Sequence, residues 1–380
     1  MHRLWIMYAA VYLVLHAYFL RVIHLAYPDE KGLVLAGAGV CLVMLIVLVL
    51  SRVLESAAEY ELARGLSFFG TPWLVLLAWF CILGAAMDVW NLGVRKLGES
   101  HPAVAGLLLP VRPALGFILL IVLLAGLWSL IEAYRVRLKK VTFRTSRVSE
   151  PVRIVQISDL HLNLLAGERR LRRIVRLIEK ADPDIVVSTG DMVDGQVPRI
   201  EQFARHMARI NPRLGKYAVL GNHDFYSGLP ASLWFHEAAG FKVIRGECIT
   251  LEPGLRLAGV DDPVGNWMGQ RCWSSEAGVL PARSADAVTI LLKHRPKVSK
   301  AALGRFDLQL SGHTHGGQIS ADRVALAGYR MRSGMNHLGD ETAAYVSRGT
   351  GTWGAPMRLF SPPEVALIRL EPRAEAYSRS

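Results

Sequence analysis

The sequence is short of cysteine, and this shortage excludes one class of protein. Four cysteines occur in 380 residues, and Cys41 and Cys81 lie inside apolar runs. Only Cys248 and Cys272 remain for the polar part of the chain, which is too few for a disulfide framework. A small secreted domain held together by disulfides is therefore excluded, while the cellular compartment stays open.

The sequence also lacks a basic arm with interleaved aromatic residues, although its net charge is +12. Before Val141 there are 12 Lys and Arg against 8 Asp and Glu, and from there on 32 against 24, so the two parts carry +4 and +8. An evenly spread excess of this kind favours anionic surfaces or substrates in general. Because no basic segment is concentrated, nucleic acid is not favoured as a partner.

Charge is almost absent from long stretches of the first third. Residues 33–50 form an uncharged run, long enough to cross a hydrocarbon core about 30 Å thick. Residues 66–87 and 113–131 have the same character, and the first run, 4–20, is shorter. Because no small-residue cleavage site follows that first run, we expect it to remain as a helix. Residues 1–133 are therefore predicted to be a membrane domain with four transmembrane helices.

A basic cluster follows the last apolar run. Its members are Arg135, Arg137, Lys139, Lys140, Arg144 and Arg147. Lys and Arg near the ends of spans are retained on the cytoplasmic side, although Arg95, Lys96 and Arg112 would then lie outside. We therefore predict a basic linker at 134–150 that contacts anionic membrane lipids. The protein is expected to be a multi-pass protein of the inner (plasma) membrane with a cytoplasmic carboxyl-terminal domain.

From residue 151 to 370, short apolar runs alternate with helical stretches, as in an α/β layered domain; a polar tail follows at 371–380. Five of the runs, each predicted to be a strand, end in polar residues. The five ends are Asp159-Leu-His161, Gly190-Asp191-Met-Val-Asp194, Gly221-Asn222-His223-Asp224, His294 and Gly312-His313-Thr-His315. Ligands of open α/β sheets gather at the carboxyl ends of the strands. The sequence therefore predicts a functional site at this edge.

The five strand ends supply carboxylate, amide and imidazole groups and no thiolate. The candidate metal ligands are Asp159, His161, Asp191, Asn222, His294, His313 and His315. This set exceeds the three protein ligands usual for one catalytic zinc, so we expect two divalent ions. Mn, Fe, Zn and Co all accept mixed oxygen and nitrogen donors, so any of them would suit the site. Two such ions polarise water to hydroxide and stabilise in-line displacement at phosphorus. His223 would protonate the leaving oxygen, and Asp194 would orient His223.

In this order the five blocks resemble those of the calcineurin-like metallophosphoesterases, and Gly316-Gly317-Gln318 resembles the membrane-associated bacterial branch of that family. The resemblance spans about 151–370 and implies a double β-sheet sandwich flanked by helices. It also implies two ions bridged by Asp191, with His223 as the catalytic acid and Asp194 as its orienting partner. One ion would be held by Asp159, His161, Asp191 and His315, and the other by Asp191, Asn222, His294 and His313.

The resemblance determines the reaction better than the substrate. We expect a dinuclear-metal-dependent phosphohydrolase that cleaves a phosphodiester or pyrophosphate bond by attack of metal-bound hydroxide. The apolar first third favours a lipid-linked substrate at the membrane, such as a nucleotide-activated acyl sugar, and a soluble phosphodiester is the other option. The alternatives are a phosphomonoesterase or protein phosphatase, and a non-catalytic metal-binding membrane scaffold. The metal identity and the oligomeric state stay open.

Residues beside these blocks have a functional and a structural interpretation. Asp224 is expected to orient its loop, and Asp261 and Asp262 are expected to form a turn. Arg348 and Arg358 would either bind phosphate, which suits the guanidinium group, or pair with a surface carboxylate. Three tryptophans would either line a pocket for an acyl chain or pack locally: Trp267, Trp273 and Trp353.

Overall fold

The computed structural model describes residues 2–195, 199–252, 254–320, 331–339 and 341–373, with side chains from residue 10 onward. The chain divides into two compact units. Unit 1 comprises 1–130 with 354–356, and unit 2 comprises 131–353 with 357–380. The catalytic blocks of the sequence all lie in unit 2, and the apolar runs lie almost entirely in unit 1.

Unit 1 is helical. Its helices are α1 (His2–Ala26), α2 (Lys31–Ser56), α3 (Tyr60–Ser100), a short 3-10 helix (Pro102–Leu107) and α4 (Val111–Tyr134), whose last turn belongs to unit 2. In the described part of the chain, α2, α3 and α4 are long and apolar enough to cross a membrane. Three of the four predicted membrane helices are thus supported, and the described side chains of α1 form an apolar stretch at 10–26.

Unit 2 is built on two sheets. The strands are β1 (Arg137–Thr145), β2 (Val152–Ile157), β3 (Ile185–Ser188), β4 (Lys216–Ala218), β5 (Lys242–Val243), β6 (Glu247–Glu252), β7 (Leu255–Gly259), β8 (Val288–Leu292), β9 (Leu308–Ser311), β10 (Gly334–Gly339), β11 (Thr342–Val346) and β12 (Glu364–Pro372). Their orders in the two sheets are β1-β12-β2-β3-β4-β5 and β10-β11-β9-β8-β7-β6. The helices are α5 (Glu168–Ala181), α6 (Ile200–Ala208), α7 (Asn222–Tyr226), α8 (Leu229–Ala238), α9 (Val264–Trp267) and α10 (Glu276–Val279). The five predicted strands are thus confirmed as β2, β3, β4, β8 and β9.

The two sheets face each other across one apolar core and are covered on their outer faces. Ile154 of β2 and Ile290 of β8 lie in the core between the sheets. Val155, the next residue of β2, lies in a second core with Ile174 of α5 and Phe235 of α8. Because such strands are buried on both faces, they appear in the sequence as continuous apolar runs. The predicted double β-sheet sandwich flanked by helices is confirmed.

Residues within the predicted basic linker form an edge strand. Strand β1 pairs in parallel with β12, from Arg137 opposite Glu364 to Thr145 opposite Pro372, and Phe143 is buried in the core between the sheets. The basic side chains of β1 are exposed at the edge of the sheet. Their charge therefore led to the prediction of a linker where the structure has a strand. At the other end, β12 runs two residues past the predicted domain end at 370, and residues 374–380 of the predicted tail lie outside the described part of the chain.

The topology brings the carboxyl ends of both sheets to one place. Strands β2, β3 and β4 are parallel in one sheet, and β7, β8 and β9 are parallel in the other. Just below these ends, the buried amide of Gln156 on β2 donates to Thr189 Oγ1 (2.8 Å) and to the carbonyl oxygen of Ser311 (2.9 Å). This side chain joins the two sheets where their loops begin.

Candidate metal centre

The predicted site residues all follow the carboxyl ends of these strands, either on the loops or, as for Asn222 and His223, at the start of the helix that comes next. Three glycines allow the loops to approach one another closely: Gly190, Gly221 and Gly312. A Cβ atom on Gly312 would lie 1.9 Å from Ser158 Oγ and 2.2 Å from Asp159 Oδ2. At this position only glycine leaves room for the Asp159 carboxylate.

The backbone of the candidate ligands is strained. Positive φ angles, which non-glycine residues rarely adopt, occur at Asp159 (51°), His161 (44°), Asp191 (56°), His313 (70°) and His315 (52°). A residue in this region costs on the order of 1–3 kcal/mol and persists where the surrounding structure imposes it, most often at functional sites. Five of the seven predicted ligands therefore have a strained backbone.

One group of ligand atoms is formed by Asp159, His161 and His315, all within 4.8 Å of one another. The Nε2 atoms of His161 and His315 are 3.1 Å apart, and His315 Nε2 is 3.5 Å from Asp159 Oδ1. The backbone N–H of His313 donates to Asp159 Oδ1 (2.9 Å). Two imidazoles and a carboxylate therefore converge in a buried place.

A second group is formed by Asp191, His294 and His313. His294 Nε2 is 3.1 Å from Asp191 Oδ2 and 3.0 Å from His313 Nδ1. Asp191 Oδ2 is also 3.7 Å from His161 Nε2 in the first group. The carboxylate of Asp191 therefore lies between the two groups.

Asn222 carries a buried polar atom that needs a partner. Its side chain is only 6% exposed, and its Oδ1 has no hydrogen-bond partner among the described residues. A buried amide oxygen is costly when unpaired. The donor sets around Asp159, Asp191 and Asn222 fit divalent cations with mixed oxygen and nitrogen coordination.

A carboxylate beside the ligands holds two imidazoles at once. Asp194 Oδ1 lies 2.7 Å from His223 Nδ1, and Asp194 Oδ2 lies 3.1 Å from His161 Nδ1. The sequence predicts the first contact but not the second. A carboxylate that accepts from a ligand histidine fixes the tautomer in which the other nitrogen is free for the metal. Asp194 therefore serves both the candidate acid and a candidate ligand.

The buried charges shift one another's pKa values. Burial alone would lower the pKa of His294, but Asp191 raises it to about 10. Burial and the charge on His294 lower the pKa of His313 to about 2. Burial would raise the pKa of Asp194, yet the hydrogen bonds from His161 and His223 hold it well below the usual range. Asp194 is therefore deprotonated and His313 neutral, whereas the raised pKa of His294 keeps its imidazole protonated beside Asp191, and a bound metal ion would displace that proton.

Asp224 orients the loop that carries Asp191, in agreement with the structural role predicted for it. Its buried carboxylate accepts from the backbone N–H groups of Asp191 (2.8 Å), Met192 (3.2 Å), Val193 (3.3 Å) and Gly221 (2.9 Å). Four donors on one carboxylate hold the loop after β3 against the start of α7.

Three other residues near the predicted ligand blocks have partners that the sequence did not reveal: Arg358, Asp261 and Asp262. Arg358 is fully buried and donates to backbone carbonyl groups, among them those of Gly351 and Ser361, so it neither faces a substrate phosphate nor pairs with a surface carboxylate. Asp261 accepts from Arg245, and Asp262 accepts from Arg295 as well as from a backbone N–H of the predicted turn. The partners in these two pairs are 16 and 33 positions apart in the chain, and spacing alone does not predict such pairs.

Comparison with known proteins identifies one matching family and several similar proteins. Residues 152–317 match the calcineurin-like phosphoesterase family. An uncharacterized metallophosphoesterase of Aquifex aeolicus is 39% identical over 255 residues, which cover 66% of this chain and 98% of that protein. A transmembrane protein with metallophosphoesterase domain from Danio rerio is 33% identical over 58% of this chain and 53% of its own length. Among solved structures, Pseudomonas putida nuclease MPE aligns with a TM-score of 0.28 and 16% identity over 53% of this chain and 77% of that chain.

Proposed function

The chain belongs to the calcineurin-like metallophosphoesterases and is thus a phosphoesterase, and from this premise we propose that it cleaves a phosphodiester or pyrophosphate bond with the help of two divalent ions. The observation that carries the proposal is the position of Asp191 between two groups of ligand atoms, 3.1 Å from His294 Nε2 and 3.7 Å from His161 Nε2. A single carboxylate between two imidazole groups suits a bridging ligand.

In this proposal the two ions have the ligands that the sequence assigns. Asp159, His161, Asp191 and His315 would hold one ion, and Asp191, Asn222, His294 and His313 would hold the other. The unpaired Oδ1 of Asn222 supports its place in the second set, since an ion would supply the missing partner. When bound, such ions polarise a phosphoryl oxygen and lower the pKa of water.

His223 is proposed as the acid that protonates the leaving oxygen. Its Nδ1 is occupied by Asp194 at 2.7 Å, which leaves Nε2 as the nitrogen that exchanges a proton with the substrate. The hydrogen bond with Asp194 and the nearby Asp191 raise the pKa of His223 against the effect of burial. A raised pKa keeps a larger fraction of His223 protonated near neutral pH, as a general acid requires.

We propose that the protein binds its substrate at the inner (plasma) membrane. Three helices are long and apolar enough to cross a bilayer, and a related protein from Bos taurus, 30% identical over 71% of its length, is also described as a transmembrane protein with metallophosphoesterase domain. A lipid-linked phosphodiester or pyrophosphate is therefore the first candidate substrate. A soluble phosphodiester is the second candidate, because an anchor also serves localisation alone.

The reaction is tested with the full-length protein in detergent, stripped of metal with a chelator and reloaded with Mn²⁺. Hydrolysis of bis(p-nitrophenyl) phosphate is expected only after reloading, at a higher kcat/KM than hydrolysis of p-nitrophenyl phosphate. A preference for the monoester would establish the phosphomonoesterase instead. Two bound ions per chain are expected by elemental analysis, and a single ion would contradict the dinuclear centre.

The role of His223 is tested by His223→Ala. Because a positioned general acid contributes roughly 10²–10⁴-fold, kcat for the diester is expected to fall by about that factor while the metal content stays at the wild-type level. The matched control is His337→Ala, since His337 is exposed on β10 and is expected to leave turnover unchanged. Unchanged kcat in the His223 variant would remove this residue from the mechanism, and loss of metal would make it a ligand.

A further inference from the structure

Two half-exposed aromatic rings lie against the imidazole of His223. The ring centroid of Tyr226 is 5.3 Å from that of His223, with an angle of 79° between the planes. The Trp353 ring centroid is 5.8 Å away at 66°. The exposed fractions are 54% for Tyr226 and 51% for Trp353. Both rings therefore keep substantial surface open to solvent beside the candidate acid.

The backbone of Trp353 is held by a buried side chain. Gln318 is 8% exposed and has a positive φ of 42°. Its amide donates to the carbonyl oxygen of Trp353 (2.8 Å) and accepts from the N–H of Trp353 (3.0 Å). A strained, buried glutamine thus fixes the main chain under an indole that remains half-exposed. This arrangement presents the ring at the surface instead of burying it, which is a feature of binding surfaces.

Tyr226 is tied to His223 by a different element. Both residues lie on α7, three positions apart, a spacing at which helical side chains are neighbours. The carboxylate of Asp224 anchors the start of this helix. The two rings are therefore held independently, one by α7 and the other by the loop after β11, and both contact the same imidazole.

The cavity beside His161, a neighbouring candidate metal ligand, is too small for an acyl chain. The described cavity next to His161, lined among others by Leu165, Arg170 and Thr352, has a volume of about 20 Å³. A cavity of this size holds about one water molecule. The aromatic pair at His223 is therefore a better place for a bulky group than the far side of His161.

We propose that Trp353 and Tyr226 form an aromatic subsite for a planar, aromatic leaving group of the phosphoester. The inference rests on the proposed function, because the group that departs must lie next to the acid that protonates its oxygen. Planar rings contact aromatic side chains favourably in edge or offset arrangements, and such stacking tolerates rings of different kinds. In this subsite Trp353 and Tyr226 determine specificity, and Gln318 positions Trp353.

The subsite is tested by calorimetric titration of the full-length, Mn²⁺-loaded protein with phenylphosphonate and cyclohexylphosphonate, which differ in the planarity of a six-membered ring. Wild type is expected to bind the phenyl compound about fivefold more tightly. Trp353→Ala and Tyr226→Ala are each expected to reduce this preference toward one at unchanged metal content, and Trp353→Phe is expected to retain most of it. Trp234→Ala is the matched control, because Trp234 is 44% exposed on α8 and should leave the preference intact.

Three results would overturn the subsite. A phenyl preference that survives in both alanine variants would show that neither ring contacts the ligand. Equal binding of the two phosphonates by wild type, lost in Trp353→Ala, would assign the rings to an alkyl or acyl chain. Loss of preference in Trp234→Ala as well would indicate a general effect on the fold. Hydrolysis of the diester by wild type is measured in parallel. If wild type prefers the phenyl compound but does not hydrolyse the diester, the result contradicts the proposed function and leaves the subsite standing.

Discussion

At the scale of single residues, the geometry of the candidate metal centre depends on positions where an additional side-chain atom does not fit. Gly312 is such a position, because a Cβ atom there would overlap the side chains of Ser158 and Asp159. Asp159 also accepts from the backbone N–H of His313. A small displacement at Gly312 is therefore transmitted to a candidate ligand and to the turn that carries two others.

We expect Gly312→Ala to displace the Asp159 carboxylate and to lower the metal content of the purified protein. Overpacking of this kind costs about 1–3 kcal/mol of unfolding free energy. Metal content by elemental analysis and thermal unfolding measure the two effects. The matched control is Gly339→Ala, since a Cβ atom on Gly339 would meet nothing within 4 Å. Wild-type metal content in the Gly312 variant would show that the loop adapts without moving Asp159.

At the scale of secondary structure, the connection between α4 and β1 is packed and not loose. Val136 is fully buried in the core that also holds Ile174 of α5, and Arg173 donates to its carbonyl oxygen (3.3 and 3.2 Å). In the last turn of α4, the buried Glu132 accepts from the N–H of Ser361 (3.2 Å). The final turn of α4 and the residues that follow it are therefore part of the phosphoesterase unit.

Val136→Ala is expected to destabilise that unit by about 2 kcal/mol, because it removes buried methyl groups and leaves a small cavity. The midpoint of urea unfolding, followed by tryptophan fluorescence in detergent, measures the change. Arg135→Ala at the neighbouring exposed position should shift stability by less than about 0.5 kcal/mol. Equal midpoints for the two variants would contradict the packed connection.

At the scale of the whole molecule, apolar helices precede the phosphoesterase unit and basic residues follow the last of them. Arg135, Arg137, Lys139 and Lys140 are all exposed, immediately after α4 ends at Tyr134. Lys and Arg in such positions are retained on the cytoplasmic side of the membrane. We therefore propose that the catalytic unit works in the cytoplasm.

This orientation predicts opposite results for two reporters fused to the carboxyl terminus in a bacterial host. A fluorescent protein is expected to fluoresce, and alkaline phosphatase, which needs export to fold, is expected to stay inactive. Reversing the charge of the four basic residues after α4 should reduce the fluorescence signal, because the signal that retains this end would be lost. An active phosphatase fusion of the unchanged protein would place the catalytic unit outside the cytoplasm.

The sequence by itself determined the α/β layering, five strands and the residues that gather at the site, because strand ends carry polar residues and buried strands are continuously apolar. The sandwich and the reaction class followed from the resemblance of the five blocks to the calcineurin-like metallophosphoesterases. It did not disclose strand β1, whose basic residues resemble a linker, or the second contact of Asp194 with His161. Arg358, Gln156 and Gln318 also acquired their partners only in the tertiary structure. The contacts of Asp194, Gln156 and Gln318 join segments far apart in the chain. A local sequence pattern does not indicate which distant groups the fold brings within hydrogen-bond distance.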